Sequence, residues 1–236
     1  MLIDVVTIFP DMFRAVVSQS MVKIAQELGK VEIRLTDLRD FAEDRHRSVD
    51  DRPFGGGPGM ILKVEPVVKA VRFLEKDGPR PVRILTSPQG ERFTQEVAKE
   101  LAGAERLLMI AGHYEGYDER IRTILAPREI SVGDYVLTGG ELPCMVVIDA
   151  VVRLLPGVLG ADDAQDFESF SEGLLEYPQY TRPAEFEGHV VPAVLRSGDH
   201  ERVARWRRAQ AIRRTRQRRP DLLTGEGSAP DGGGDQ

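Results

Sequence analysis

The stretch "RLLMIAGHYEG" (residues 106–116) reads as a strand that runs directly into a glycine-bearing loop. Four other segments read as strands: "LIDVVTIF" (2–9), "VEIRLTDL" (31–38), "VRILTS" (82–87) and "EISVGDYVL" (129–137). Between them, "SMVKIAQELG", "VEPVVKAVRFLEK", "TQEVAKELAG" and "DERIRTILA" have helical spacing. Such alternation predicts an α/β fold with a mainly parallel sheet and helices on both faces. In that class, ligands gather at the carboxyl ends of the strands. Three strands end in glycine-bearing loops, "TSPQG" (86–90), "AGHYEG" (111–116) and "VLTGGELP" (136–143). Their convergence points to a site, although turn chemistry alone also places glycine there.

Composition bounds the rest. The 236 residues allow one large domain or two modest ones. The one cysteine, Cys144, cannot form an internal disulfide, and the four histidines are scattered, so no structural metal is expected. No apolar run reaches the length of a membrane span, and the first residues lack a basic leader, which predicts a cytoplasmic protein. The net charge of −6 is segregated: nine arginines and no acid lie between Arg202 and Arg219, while "GADDAQDFESFSEGLLE" (160–176) carries acids and no base. Local clusters of this kind, not the sum, decide whether a polyanion binds.

The glycine-rich "DDRPFGGGPGM" (50–60) is not a phosphate loop of the Walker type, because Gly59 is followed by Met60 and Ile61 rather than Lys and Ser or Thr. The dinucleotide fingerprint fails as well, since Met60 stands where a third glycine is needed. What remains is a backbone that bends sharply and allows close approach, flanked by Arg45, His46, Arg47 and Arg52. A polyanion suits it, and so does plain solvent.

After "GGEL", the segment "PCMVVIDAVVRLLPG" (143–157) reads as a helix with Pro143 at its first position, apolar nearly all round and therefore buried in the core or in a subunit interface. Asp149 and Arg153 interrupt it four residues apart. They form either an internal ion pair or an arginine held ready for work. The expected organisation is a catalytic domain over 1–159, a mobile acidic linker over 160–175, a small helical domain over 176–223 and a disordered tail over 224–236. In the small domain, "SGDHERVARWRRAQAIRRTRQRRP" reads as a helix capped near Ser197 or Asp199 and ended by Pro220, with Val203, Trp206 and Ala209 on its packed side.

Seven blocks in order resemble the bacterial tRNA (guanine-N(1)-)methyltransferase family of the knotted SPOUT superfamily. They are "DRHRSVDDRPFGGGPGM", "LTSPQGERF", "AGHYEGYDERI", "ISVGDYVLTGGELP", "RLLPGVLG", "GLLEYPQYTRP" and "VLRSGDHERVARWRRAQAIRRT". The resemblance implies a homodimer with a trefoil knot. It implies methyl transfer from S-adenosylmethionine to N(1) of the guanine just 3′ of the anticodon, where that guanine follows another. Mg²⁺ is allowed by the family, without a visible metal cluster.

The resemblance also distributes roles. The donor is held by Ser87, Pro88, Gln89 and Gly90, by Gly112, Tyr114, Glu115 and Gly116, and by Val132, Gly133, Asp134, Tyr135, Val136, Leu137, Gly139 and Gly140. Glu115 either faces the positive end of the donor or is a solvated loop acid. Arg153 faces the guanine O6, where charge grows as N(1) loses its proton. The base falls on Glu168, where the family usually has aspartate, with Asp166 as its rival. The tRNA anticodon stem-loop is met by Arg47, Asp50, Arg52, Gly55, Gly56 and Gly57 of the glycine-rich loop and by Arg207, Arg208 and Arg214 of the arginine helix. Two other readings of the residues remain: a non-catalytic RNA-binding protein, and a related enzyme acting on another RNA or on a ribose hydroxyl.

Overall fold

A computed structural model describes residues 1–160 and 168–224. The chain divides into two compact units, Met1–Asp162 and Asp163–Gln236. In the first, β1 (Leu2–Thr7), α1 (Pro10–Val17), α2 (Ser20–Glu27) and β2 (Glu32–Asp37) are followed by the two-residue strands β3 (Asp50–Asp51) and β4 (Ile61–Leu62). Next come α3 (Val64–Leu74), β5 (Val82–Arg92), α4 (Gln95–Ala102), β6 (Arg106–Ile110), α5 (Arg120–Leu125), β7 (Arg128–Ser131) and α6 (Glu141–Val152). Five strands form one sheet in the order β2-β1-β6-β5-β7, every neighbouring pair parallel.

The period of two along each strand builds two cores. Ile3, Val5, Ile84, Leu107 and Met109 face the side covered by α6, whose Cys144, Val147, Ile148, Val151 and Val152 are buried there. Val6, Leu85, Leu108 and Ile110 face the other side, against Val67, Ala70 and Val71 of α3 and Ile121 and Leu125 of α5. Burial on both faces is why the central strands β1, β6 and β5 read as largely apolar runs. At the strand ends away from the carboxyl edge, fully buried Arg106 donates to Asp4 (2.7 Å from Nη2) and to the carbonyls of Leu74 and Asp77, each at 2.6 Å.

Several boundaries differ from the sequence reading. The strand read at 129–137 stops at Ser131, because the Ser131 hydroxyl and Gly133 bond to each other and Gly133 adopts a φ of +153°. The helix read from Pro143 begins two residues earlier, at Glu141, an acid that suits the first turn. It is also less evenly buried than its composition implies: Leu142 and Val146 are about half exposed, at 50% and 49%. Short α1 was not anticipated.

In the second unit, a small hairpin of β8 (Glu185–Phe186) and β9 (His189–Val190) precedes α7 (His200–Arg218) and the single turn α8 (Asp221–Thr224). Asp199 caps α7 by accepting from the Arg202 N–H at 3.0 Å, as the sequence suggested. Its buried residues are Ala211 and Thr215; of the expected packed side, Val203 and Trp206 are half-buried, Trp206 against the Tyr180 ring, while Ala209 is exposed. Of the expected linker over 160–175, residues 161–167 lie outside the described residues. Residues 168–175 belong to the second unit, where Leu175 N–H donates to Thr215 Oγ1 at 2.8 Å. The tail expected over 224–236 lies outside the described residues from 225 onward.

Candidate active site

The three glycine-bearing loops meet around one cleft at the carboxyl edge of the sheet. Between β5 and β7 the ladder jumps: Thr86 and Glu91 both stand opposite Ile130, so residues 87–90 bulge out of the sheet. Gly90 makes this bulge fit, since a Cβ there would lie 2.4 Å from the Ile130 nitrogen. After β6, Gly112 carbonyl accepts from the Gly140 N–H at 2.6 Å, and His113 bridges Gly139. These bonds tie the second loop to the third, just before α6 begins.

Beneath the loops lies a buried polar cluster that the sequence reading missed. Glu141, only 1% exposed, accepts from Thr7 Oγ1 at 3.0 Å and sits 3.3 Å from His113 Nδ1. The His113 ring packs edge-on against Phe9 and Tyr114, at 4.9 and 5.2 Å between centroids. The Tyr117 hydroxyl donates to the Thr86 carbonyl at 3.0 Å, and burial holds its phenol well above the usual range. Burial likewise pushes the Cys144 thiol up to about 12, so it stays a thiol at any working pH.

Of the expected donor-binding residues, the cleft is lined by Ser87, Pro88, Gly112, Tyr114, Glu115, Gly116, Val132, Gly133, Tyr135, Val136, Leu137, Gly139 and Gly140. Gln89, Gly90 and Asp134 are outside the lining. Thr86, His113, Tyr117, Ile130, Ser131, Thr138 and Pro143 join it. Apolar Ile130, Val132, Leu137 and Pro143 supply walls, and the loops supply main-chain donors and acceptors, the mixture typical of a small-molecule site. Nothing lies within 4 Å of a Cβ built on Gly116 (φ +138°), so the chain there leaves room for another molecule.

The glycine-rich loop is the tip of the β3–β4 hairpin, where Asp50 pairs with Leu62. Gly55, Gly56 and Gly57 take φ of +86°, +78° and +129° and face open space apart from a 3.9 Å approach to Pro53. At its base, Glu115 N–H donates to the Met60 carbonyl at 3.0 Å, and a Cβ on Gly59 would meet Glu115 Cγ at 2.4 Å. Glu115 therefore backs onto this loop. Arg47 pairs with Asp40, while Arg52 is exposed. Asp50 faces Tyr114, whose phenol is held up by burial first and by that carboxylate next.

Arg153 caps α6, its N–H donating to the Asp149 carbonyl at 3.3 Å. Glu168 is in the second unit; Asp166 lies outside the described residues. The three arginines of α7 expected to meet RNA are engaged within that unit. Arg207 lies 4.9 Å over the Tyr177 ring, Arg208 pairs with Glu172, and Arg214 donates to the Glu176 carbonyl at 3.1 Å. Exposed Arg202, Arg205, Arg213 and Arg216 recur at helical spacing on the opposite face of α7.

A parallel α/β unit with a loop-lined cleft at its carboxyl edge, followed in the chain by a unit with an arginine-rich helix, defines a class: an α/β protein with a ligand-sized cleft and a basic helical unit. The particular family follows from comparison. A family model described as "tRNA (Guanine-1)-methyltransferase TrmD" matches residues 1–225, and the chain belongs to that family. It is similar to the tRNA (guanine-N(1)-)-methyltransferase of Moorella thermoacetica, 57% identical over 98% of this chain and 93% of that one. It is equally similar to those of Geobacillus kaustophilus (57%; 94% and 91% covered) and Dictyoglomus turgidum (57%; 94% and 89%). Among the described residues no helix is long and apolar enough to cross a membrane, and no group of three or more His, Cys, Asp or Glu is placed to hold a metal ion.

Proposed function

We propose that this chain methylates N(1) of the guanine immediately 3′ of the tRNA anticodon, with S-adenosylmethionine as donor. The observation that carries the reading is the stitched cleft: three loops from β5, β6 and β7 close around one space in a chain of this family. The donor, when bound, supplies a methyl group on a positive sulfonium. The residues of the chain do the rest. The cleft walls orient the donor, and orientation of this kind is worth roughly 7–11 kcal/mol of barrier. Glu168 takes the N(1) proton, which frees the lone pair, and Arg153 opposes the charge that grows on O6. The hairpin tip with Gly55, Gly56 and Gly57 closes on the RNA loop, whose unstacked bases expose N(1).

The outward arginines of α7 suit the phosphates of the anticodon stem. Half-exposed Leu142 and Val146 on α6, with Met12 (42% exposed) and Val16 (38%) on α1, suit a second copy of the chain, and a homodimer is part of the reading. So are the trefoil knot, a cytoplasmic location and an assisting Mg²⁺, all carried over from the family. The test is incubation with labelled donor and paired tRNA transcripts that differ only at the guanine after the anticodon. Methyl incorporation into both transcripts, or into neither, rejects the reading. Size-exclusion chromatography with light scattering tests the dimer, and EDTA titration of the rate tests the ion.

A further inference from the structure

We propose that Thr215 and Arg214 are positioning residues for Glu168: the inner face of α7 holds the segment that carries the base. The proposal rests on the reading of Glu168 given above.

Residues 168–176 close on themselves. Ser171 donates to the Glu168 carbonyl through both its N–H (3.2 Å) and its hydroxyl (2.7 Å). Ser169 Oγ accepts from the Glu176 N–H at 3.0 Å, and the Phe170 N–H donates to the Leu174 carbonyl at 2.8 Å. Phe170 (φ +75°) and Gly173 (φ +69°) are left-handed, so the turn is set by its bonds and not by the default path of the chain.

This turn is then pinned to α7 at its far end. Thr215 is fully buried; its hydroxyl proton goes to the Ala211 carbonyl at 2.8 Å, and its oxygen receives the Leu175 N–H at 2.8 Å. A hydroxyl can donate once and accept as well, so Thr215 satisfies both neighbours. Threonine is a poor choice for a helix interior on propensity alone. Its use here is the bond to Leu175. Arg214, half-buried, adds the bond to the next residue, Glu176. The Arg208–Glu172 pair is exposed on both sides and contributes little. Glu168 begins the turn, so its place relative to α7 is fixed by the Ser169–Glu176 bond and by these two anchors.

A base displaced by about 1 Å can cost roughly 100-fold in rate. The experiment measures single-turnover methyl transfer at saturating tRNA and donor, across pH, for Thr215→Val, Thr215→Ser, Arg214→Leu and Glu168→Gln in the full chain. Thr215→Val and Arg214→Leu should lose roughly 10- to 100-fold in rate at saturating tRNA, both with unchanged affinity for the donor and Thr215→Val with unchanged affinity for tRNA. Their rates should climb with pH as that of Glu168→Gln does, because guanine then loses its proton without help. Thr215→Ser, which keeps the hydroxyl, should recover most of the rate. A loss of the same factor at every pH, in step with the fraction of folded protein, overturns the proposal, as does a wild-type rate. If Thr215→Val does not fold, Arg214→Leu decides it. A fully active Glu168→Gln brings down the base assignment and the proposal together. A slow Glu168→Gln beside fast Thr215→Val and Arg214→Leu brings down the proposal alone.

Discussion

The Gly140 N–H donates to the Gly112 carbonyl at 2.6 Å, and neither glycine has room for a side chain. A Cβ on Gly140 would fall 2.3 Å from Thr86 Oγ1, and one on Gly112 would fall 2.1 Å from the Tyr117 hydroxyl. Each of these glycines is thus needed by the protein before any ligand arrives. Gly112→Val and Gly140→Val should abolish S-adenosylmethionine binding by calorimetry. They should also lower the melting temperature, because Thr86 and Tyr117 must move. Unchanged donor affinity in both variants would remove the donor from this cleft.

The arginines of α7 divide into two sets, and the sets should behave differently. Changing Arg202, Arg205, Arg213 and Arg216 together to Gln should weaken tRNA binding and flatten its dependence on salt, by a slope of up to about 0.7–0.9 per lost phosphate contact. Donor affinity should hold. Wild-type tRNA affinity at physiological salt in this quadruple variant would show that the outward face does not meet RNA.

Glu168→Gln keeps shape and removes proton affinity. Single-turnover transfer should fall by roughly 100-fold or more, the usual worth of a general base. Glu168→Asp, which restores the residue usual in the family, should keep substantial activity. A near-normal Glu168→Gln beside an inactive Asp166→Asn would move the role to Asp166.

Asp4→Ala should destabilise the first unit by about 3–5 kcal/mol, since it leaves a buried guanidinium without its carboxylate. Arg106 has no exposed surface in its side chain, and three carbonyls of the α3–β5 connection also depend on it. Urea unfolding followed by fluorescence measures the loss. A change below about 1 kcal/mol, the scale of a surface pair, would contradict the burial.

Cys144 should resist a thiol reagent in the native protein at pH 8 and react at once in denaturant. It is fully buried and its pKa is pushed up to about 12, so almost no thiolate forms and none is reachable. Rapid labelling without denaturant would mean that α6 opens readily.

The five strands and the three loops were legible because each is a local pattern: an apolar or alternating run, followed by glycine in β5, β6 and β7. Helix α1 was not: its eight residues are amphipathic, but they are few and start at Pro10, directly after the run read as a strand to Phe9. The Thr7–Glu141–His113 cluster was invisible for another reason: nothing local says that β1 and the start of α6 will meet. The working face of α7 was half legible. Arginines surround it, but Ala204, Ala211 and Thr215 share one side, and small residues mark where another segment presses close. Arg207, Arg208 and Arg214 flank that side, which is why they turn to Tyr177, Glu172 and Glu176.

The Thr7–Glu141 bond spans 134 positions, and Ile3 and Val5 share one core with Ile148 and Val152. On a ribosome, therefore, β1 can pair with β2 and meet Phe13, Val22 and Ala25 soon after it is made, but the core on that side is completed only when synthesis has passed residue 152. Through that interval the part of the core that α6 completes is open to any chaperone or to another nascent chain. A sheet closed so late by such distant partners folds slowly. The cleft is the last part to assemble, so a truncated chain that ends before α6 should bind no donor at all.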